Sequence, residues 1–180
     1  MNNEYIANNN NMRDNTGAET LAFQQPFQEE GNPVRQVLEN HFTEMLDLPE
    51  AASSWLLGLW DVIQFVDDVA DGDDISRQNL NNALNQMLVA MPSNRFFLTF
   101  ASELTPVVAV QILKWQASDW AENNNLADER SYMWRAGFYD VVLLVVQLCH
   151  GHDVAVDRSF LVMSLYGETM IDYKKEFANA

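Results

Sequence analysis

Along this chain, apolar residues recur at the spacing of helices rather than of strands. The cleanest case is Leu80, Ala83, Leu84, Met87, Leu88 and Met91, which step by three and four around one face. Punctuation residues divide the rest. Asn32 is placed to cap a helix with Pro33 at its first position, and Pro49 ends that helix or begins the next. Gly72 closes a second helix, and Asp74 or Ser76 caps a third that Pro92 stops. Ser93 caps a fourth, Thr105–Pro106 opens a fifth, and Asn123–Asn125 forms a loop. A long sixth helix ends at Gly151, and Asp157 caps a seventh. The spacing predicts helices over 33–47, 53–71, 77–91, 94–104, 106–123, 128–149 and 157–176, with no strand alternation and no internal repeat. The expected fold is all-α: a compact bundle of six to seven helices.

That pattern does not extend over residues 1–32. This stretch holds the asparagine run Asn8–Asn11 and scattered Gly, Gln and Glu, and reads as a flexible, mostly disordered N-terminal arm. Its one apolar cluster is Leu21, Ala22, Phe23 and Phe27, able to dock on the body or on a partner. Residues 33–180 are expected to form a single all-α domain.

Charge narrows the function classes. The formal net charge is −16, from 26 acidic residues against 10 lysines and arginines. Such a surface disfavours direct binding of nucleic-acid phosphates or of an anionic membrane, and leaves open solubility, a basic partner, metal ions or mimicry of nucleic acid. The single Cys149 excludes an internal disulfide and a Cys-rich zinc site, and fits a cytoplasmic setting. The N-terminus does not read as a signal peptide. The most apolar run, Val141–Val146, is too short to span a bilayer, so no membrane span is expected.

The acids concentrate in Trp55–Arg77, WLLGLWDVIQFVDDVADGDDISR. At 100° per residue, Asp61, Gln64, Asp68 and Asp71 form a narrow stripe opposite Trp55, Leu56, Leu59, Ile63, Val66 and Ala70. A half-buried acidic stripe needs a partner, whether a cation, a basic side chain or water. Asp67, Asp68 and Asp71 end the helix, where carboxylates oppose the macrodipole, and their spacing lets the three converge as oxygen ligands for Mg²⁺. The competing interpretation is a solvated acidic turn.

Residues 65–77, FVDDVADGDDISR, resemble the first aspartate-rich motif of the trans-isoprenyl diphosphate synthases. That family has an apolar helix, D-D-x-x-D, a short polar turn and a pair of arginines. The resemblance implies Mg²⁺ on Asp67, Asp68 and Asp71 and a diphosphate ligand held by Arg77, within an isoprenoid-synthase-like fold. Ser76 stands where the first arginine belongs, no second D-D-x-x-D follows, and no Gly-Gly-Lys segment precedes. An acid facing the motif would come from Asp140, or from Glu168 and Asp172. The ordinary role for Asp140 is a buried carboxylate, hydrogen-bonded or ion-paired with Arg135 or Arg130, and for Glu168 and Asp172 a solvated face.

Three further patterns occur along the chain. Glu44-x-x-Asp47 with Asp68-x-x-Asp71 is similar to the paired acidic motifs of all-α nucleotide pyrophosphatases of the MazG and dUTPase type. His150, His152 and Asp153 hold a His-Asp pair like that of HD phosphohydrolases, with His41 far upstream as the other histidine. Trp115, Trp120, Tyr132, Trp134, Phe138 and Tyr139 line either a core or an apolar pocket. Two expectations stand side by side. One is an acidic helical protein that binds Mg²⁺ and a diphosphate, with or without turnover. The other is a non-catalytic interaction protein such as an inhibitor, adaptor or structural component. A closed cavity with Asp68 and Asp71 at its mouth would favour the first; a well-filled core with those acids in bulk solvent would favour the second.

Overall fold

A computed structural model describes residues 33–177. The N-terminal arm lies outside the described residues, as does the Asn32 cap. The described residues form eight helices and no strand, so the class is all-α, and the count exceeds the expected six to seven.

Helix α1 (Pro33–Asn40) runs on through a wider turn, His41–Met45, where the Leu46 amide donates to the His41 carbonyl at 2.9 Å. Asp47, at φ 49°, turns the chain into α2 (Glu50–Asp71). That helix begins directly after Pro49, whose carbonyl accepts from Ala52 and Ser53. It stops at Gly72, in the left-handed region at φ 79°, whose amide donates to the Asp68 and Val69 carbonyls. Ser76 caps α3 (Arg77–Asn85), accepting from the Asn79 amide at 3.0 Å. The same helical run continues to Ser93. The following cap is Asn94 rather than Ser93: its side chain accepts from the Phe96 and Phe97 amides and donates to the Ala51 carbonyl.

Three expected boundaries move. The fourth and fifth helices are one, α4 (Arg95–Asn123), with Pro106 inside it. The break falls at Phe100 (φ −120°, ψ 24°), ahead of the carbonyl that the proline ring would crowd. The sixth helix is two, α5 (Glu129–Arg135) and α6 (Phe138–His150), bent by 46°. Gly137 sits at this bend because Gln111 of α4 crosses it; a Cβ there would meet the Gln111 side-chain oxygen at 2.3 Å. The seventh is also two, α7 (His152–Met163) and α8 (Met170–Phe177). Gly151, at φ 87°, both ends α6 and starts α7, which leaves Asp157 in mid-helix rather than at a cap. The 164–169 connection contains Gly167, a poor helix interior residue.

The core gathers on α6, whose Val141, Val142, Val145 and Val146 are fully buried, as a helix apolar nearly all round requires. Leu38, Phe42 and Leu46 of the first segment, Trp55, Leu56 and Leu59 of α2, Leu104 of α4 and Val162 of α7 close on it. Only the first half of α2 is buried in this way. Its second half projects past α1, leaving Val66 and Val69 exposed and placing the aspartates at the margin of the bundle.

Candidate functional site

The acids of α2 meet different partners. Asp61 is buried and takes a forked pair of bonds from Arg35 of α1, at 2.9 and 3.3 Å. Asp67 turns toward α4 and α5. It accepts from the Trp115 indole at 3.2 Å and lies 3.6 Å from the Arg135 guanidinium. Asp71 is four residues on, hence on the same side, but exposed. Burial raises its pKa above the ordinary value, and the charges of Asp67, Asp73 and Asp119 add to this against Arg135. Asp68 points about 100° away from Asp67 and is exposed, as is Arg77 at the start of α3.

Arg135 is the hub. It donates to Glu122 at 3.0 Å, reaches Asp67, and lies over the Phe177 ring at 5.6 Å. Burial opposes its charge, but Glu122 and Asp67 outweigh that and hold the guanidinium above its usual range. Glu122 is further surrounded by hydroxyls, with Tyr173 at 2.7 Å and Ser118 at 3.0 Å. Ser118 also donates to the Ser131 carbonyl, and the Tyr173 hydroxyl lies 2.6 Å from the Ser131 hydroxyl. This network ties α4, α5 and α8 together and carries the guanidinium to the end of α2.

The expected facing acids are elsewhere. Asp140 is exposed and paired with Lys114 of α4 at 2.7 Å, so its partner is neither Arg135 nor Arg130. Glu168 takes the Tyr166 hydroxyl, and its backbone carbonyl accepts from Tyr132. Asp172 is held in the first turn of α8 by Thr169 and Lys175, which keep its carboxyl below the ordinary range. Among the described residues, no group of three or more His, Cys, Asp or Glu side chains is placed to hold a metal ion.

The other patterns fall apart in space. Glu44 and Asp47 precede the start of α2, and Asp68 and Asp71 end it, about 27 Å further along the helix. The α1–α2 turn therefore separates the two acidic pairs instead of facing them. His150 bonds to the Leu46 carbonyl at 3.0 Å, while His152 and Asp153 are exposed at the start of α7. Burial raises the pKa of the Cys149 thiol, the opposite of an activated nucleophile.

A pocket of about 330 Å³ does lie beside Asp67, on the inner side of α2. Leu59, Val62, Ile63 and Val66 form one wall. Val108, Gln111, Ile112 and Trp115 of α4, with Trp134, Arg135, Phe138 and Val141 of α5 and α6, form the others. The apolar space thus lies between α2, α4, α5 and α6. Trp115, Trp134 and Phe138 line it, whereas Trp120 is 60% exposed on the surface. The buried Gln111 side-chain oxygen accepts no hydrogen bond.

The pocket opens beside an uncovered apolar surface. In α4, Leu98, Val110, Ile112, Leu113 and Trp120 are exposed, flanked by Met133 and Trp134 of α5. This helix has 29 residues and an 18-residue window of mean hydropathy 1.6, only 11% buried, so by length and composition it could cross a membrane. Core helices of soluble proteins meet the same criterion, but α4 is held to the bundle by one face only. Comparison with protein-family models, with curated proteins and with solved structures finds no match.

Proposed function

We propose that this chain is a helical interaction protein without chemistry of its own, and that it takes a protein partner with a basic surface. The single observation that carries this reading is the outer face of α4. From Pro106 to Ala117 its exposed positions are Pro106, Ala109, Val110, Ile112, Leu113, Gln116 and Ala117, none of them charged. An apolar strip of that length on a chain of charge −16 is what a partner covers, and the acids around it select a basic one. The test is site-specific photo-crosslinking in cells that make the protein, with a benzophenone side chain at position 113 or, as control, at exposed position 81. The expected result is one discrete adduct with a basic protein from position 113 only, lost on Val110→Glu. Adducts to lipid or to a second copy, or none at all, overturn the reading.

A second reading keeps Mg²⁺ and a diphosphate ligand at Asp67, Asp68 and Asp71, isoprenoid-synthase-like as the motif implies. The raised pKa of Asp71 beside Asp67, at the edge of an apolar pocket, favours it, since a cation relieves that repulsion. Against it, Ser76 serves as a helix cap, and Asp67 already has Arg135 nearby. Calorimetric titration of geranyl diphosphate decides. Mg²⁺-dependent binding weakened about tenfold by Arg77→Ala supports the reading, and no heat with Mg²⁺ removes it.

A further inference from the structure

We infer that the pocket beside Asp67 receives an apolar side chain flanked by lysine or arginine residues of the basic partner. This rests on the interaction reading above and assigns it an anchor point. The cavity is about 330 Å³, lined by Ile63, Val66, Ile112, Trp115, Trp134 and Phe138, a size and lining suited to a large apolar group. Gln111 contributes to one wall, but its side-chain oxygen is packed against Gly137, which leaves the apolar side chains to make the contact.

Arg135 is the one charged residue among those lining the pocket, and acids gather around it. Asp67 and Glu122 share Arg135, while Asp71 lies within electrostatic reach of Asp67, Asp73, Asp119 and that guanidinium. The acids at this edge outnumber the cation. An anionic head is repelled there and a cationic flank is attracted. The chain's own apolar cluster at Leu21–Phe27 does not fit this rule, because it is followed by Gln28, Glu29 and Glu30 and has no basic neighbour. A second copy carries the same charge of −16. A basic partner satisfies both the pocket and the rim.

The experiment uses the full chain and fluorescein-labelled hexapeptides, read by fluorescence polarisation. The probes are Lys-Lys-Phe-Leu-Lys-Lys, its Ser-flanked and Glu-flanked counterparts, and Lys-Lys-Gly-Ser-Lys-Lys. The lysine-flanked Phe-Leu peptide is expected to bind at least about tenfold tighter than the serine-flanked one, with no binding of the glutamate-flanked one. Asp71→Asn with Asp73→Asn should weaken the lysine peptide about threefold or more and leave the serine peptide unchanged. Ile112→Trp, filling the pocket, should abolish binding of both; Val66→Trp is a second filling variant, each checked for helical circular dichroism. Equal binding of Lys-Lys-Gly-Ser-Lys-Lys overturns the inference, because the contact is then only electrostatic. Unchanged affinity in both folded filling variants also overturns it. Leu113→Asp lies outside the pocket and should leave peptide affinity unchanged. An intact position-113 crosslink without peptide binding would therefore defeat the pocket and spare the interaction reading; loss of the crosslink would defeat that reading itself.

Discussion

Replacing Arg135 with methionine removes the guanidinium that bridges Glu122 and Asp67 while keeping most of the side chain's apolar length. The Arg135 side chain is 23% exposed and that of Glu122 9%, so the pair is largely but not wholly out of water. Taking one partner from a buried ion pair costs about 3–5 kcal/mol, because the other charge is stranded. Glu122 keeps the Tyr173 and Ser118 hydroxyls, which lowers the expected cost to about 2–3 kcal/mol. The lost contact with the Phe177 ring adds about 0.5 kcal/mol. Urea unfolding followed by tryptophan fluorescence and circular dichroism measures this as a lower midpoint at unchanged slope, a shift of about 1–2 M. Glu122→Gln in the same background removes the stranded charge and should restore about 1–2 kcal/mol, a coupling that a double-mutant cycle isolates.

The same variant asks which cation the acids of α2 use. With Arg135 gone, Asp67 joins Asp71 as an uncompensated pair of carboxylates on one side of α2. A metal site of about 1 mM affinity would then stabilise the variant by about 1.4 kcal/mol at 10 mM Mg²⁺. Wild type, with the guanidinium in place, should gain less than about a third of that. A wild-type gain equal to the variant's would show that Arg135 is not the cation of this acid set. A cost below about 1 kcal/mol for Arg135→Met, or strict additivity with Glu122→Gln, would refute the hub itself.

Other outcomes follow from single contacts. Arg35→Met removes the forked bonds to Asp61, whose side chain is only 4% exposed, and should cost about 3 kcal/mol in urea unfolding. Gly72→Ala meets nothing within 4 Å, so only the left-handed backbone matters, and thermal melts should show a loss of about 1 kcal/mol. Asp71 has a folded pKa above its unfolded value of 3.8, so its ionised form weakens the fold. That penalty is absent below the unfolded value and grows as pH rises through the folded one. Asp71→Asn should therefore be slightly more stable than wild type at pH 7 and equal to it near pH 3, in paired melts at both pH values. Deleting residues 1–28 leaves the Arg35–Asp61 pair in place and should move the melting temperature by less than about 4 °C.

Much of the fold was legible because local rules governed it. The stop at Gly72 and the proline that opens α1 follow from backbone constraints that a neighbour need not supply. The misplaced boundaries have different causes, one of them a contact across the bundle. Gly137 reads as a tolerable residue in a long apolar helix until Gln111 crosses it, and Pro106 reads as a boundary until the bend at Phe100 relieves it. Gly151 served two helices at once, which a one-boundary rule does not anticipate.

The site divides along the same line. Helical spacing identified which acids share a face of α2, but not what stands opposite them. Asp67, not Asp68, meets the inter-helix cation, because the choice was made by Arg135 from another helix. In a chain with 26 acids and 10 lysines and arginines, an acid carries little information and a cation much more. Arg35 joins α1 to Asp61 of α2, Lys114 joins α4 to Asp140 of α6, and Arg135 joins α5 to Glu122 of α4 and Asp67 of α2. Each of these three ties two or more helices together. The remaining cations cannot balance the acids that are left. That surplus, set beside the uncovered face of α4 and a pocket with an acidic mouth, gives the molecule a side on which a basic partner meets both apolar and ionic complementarity.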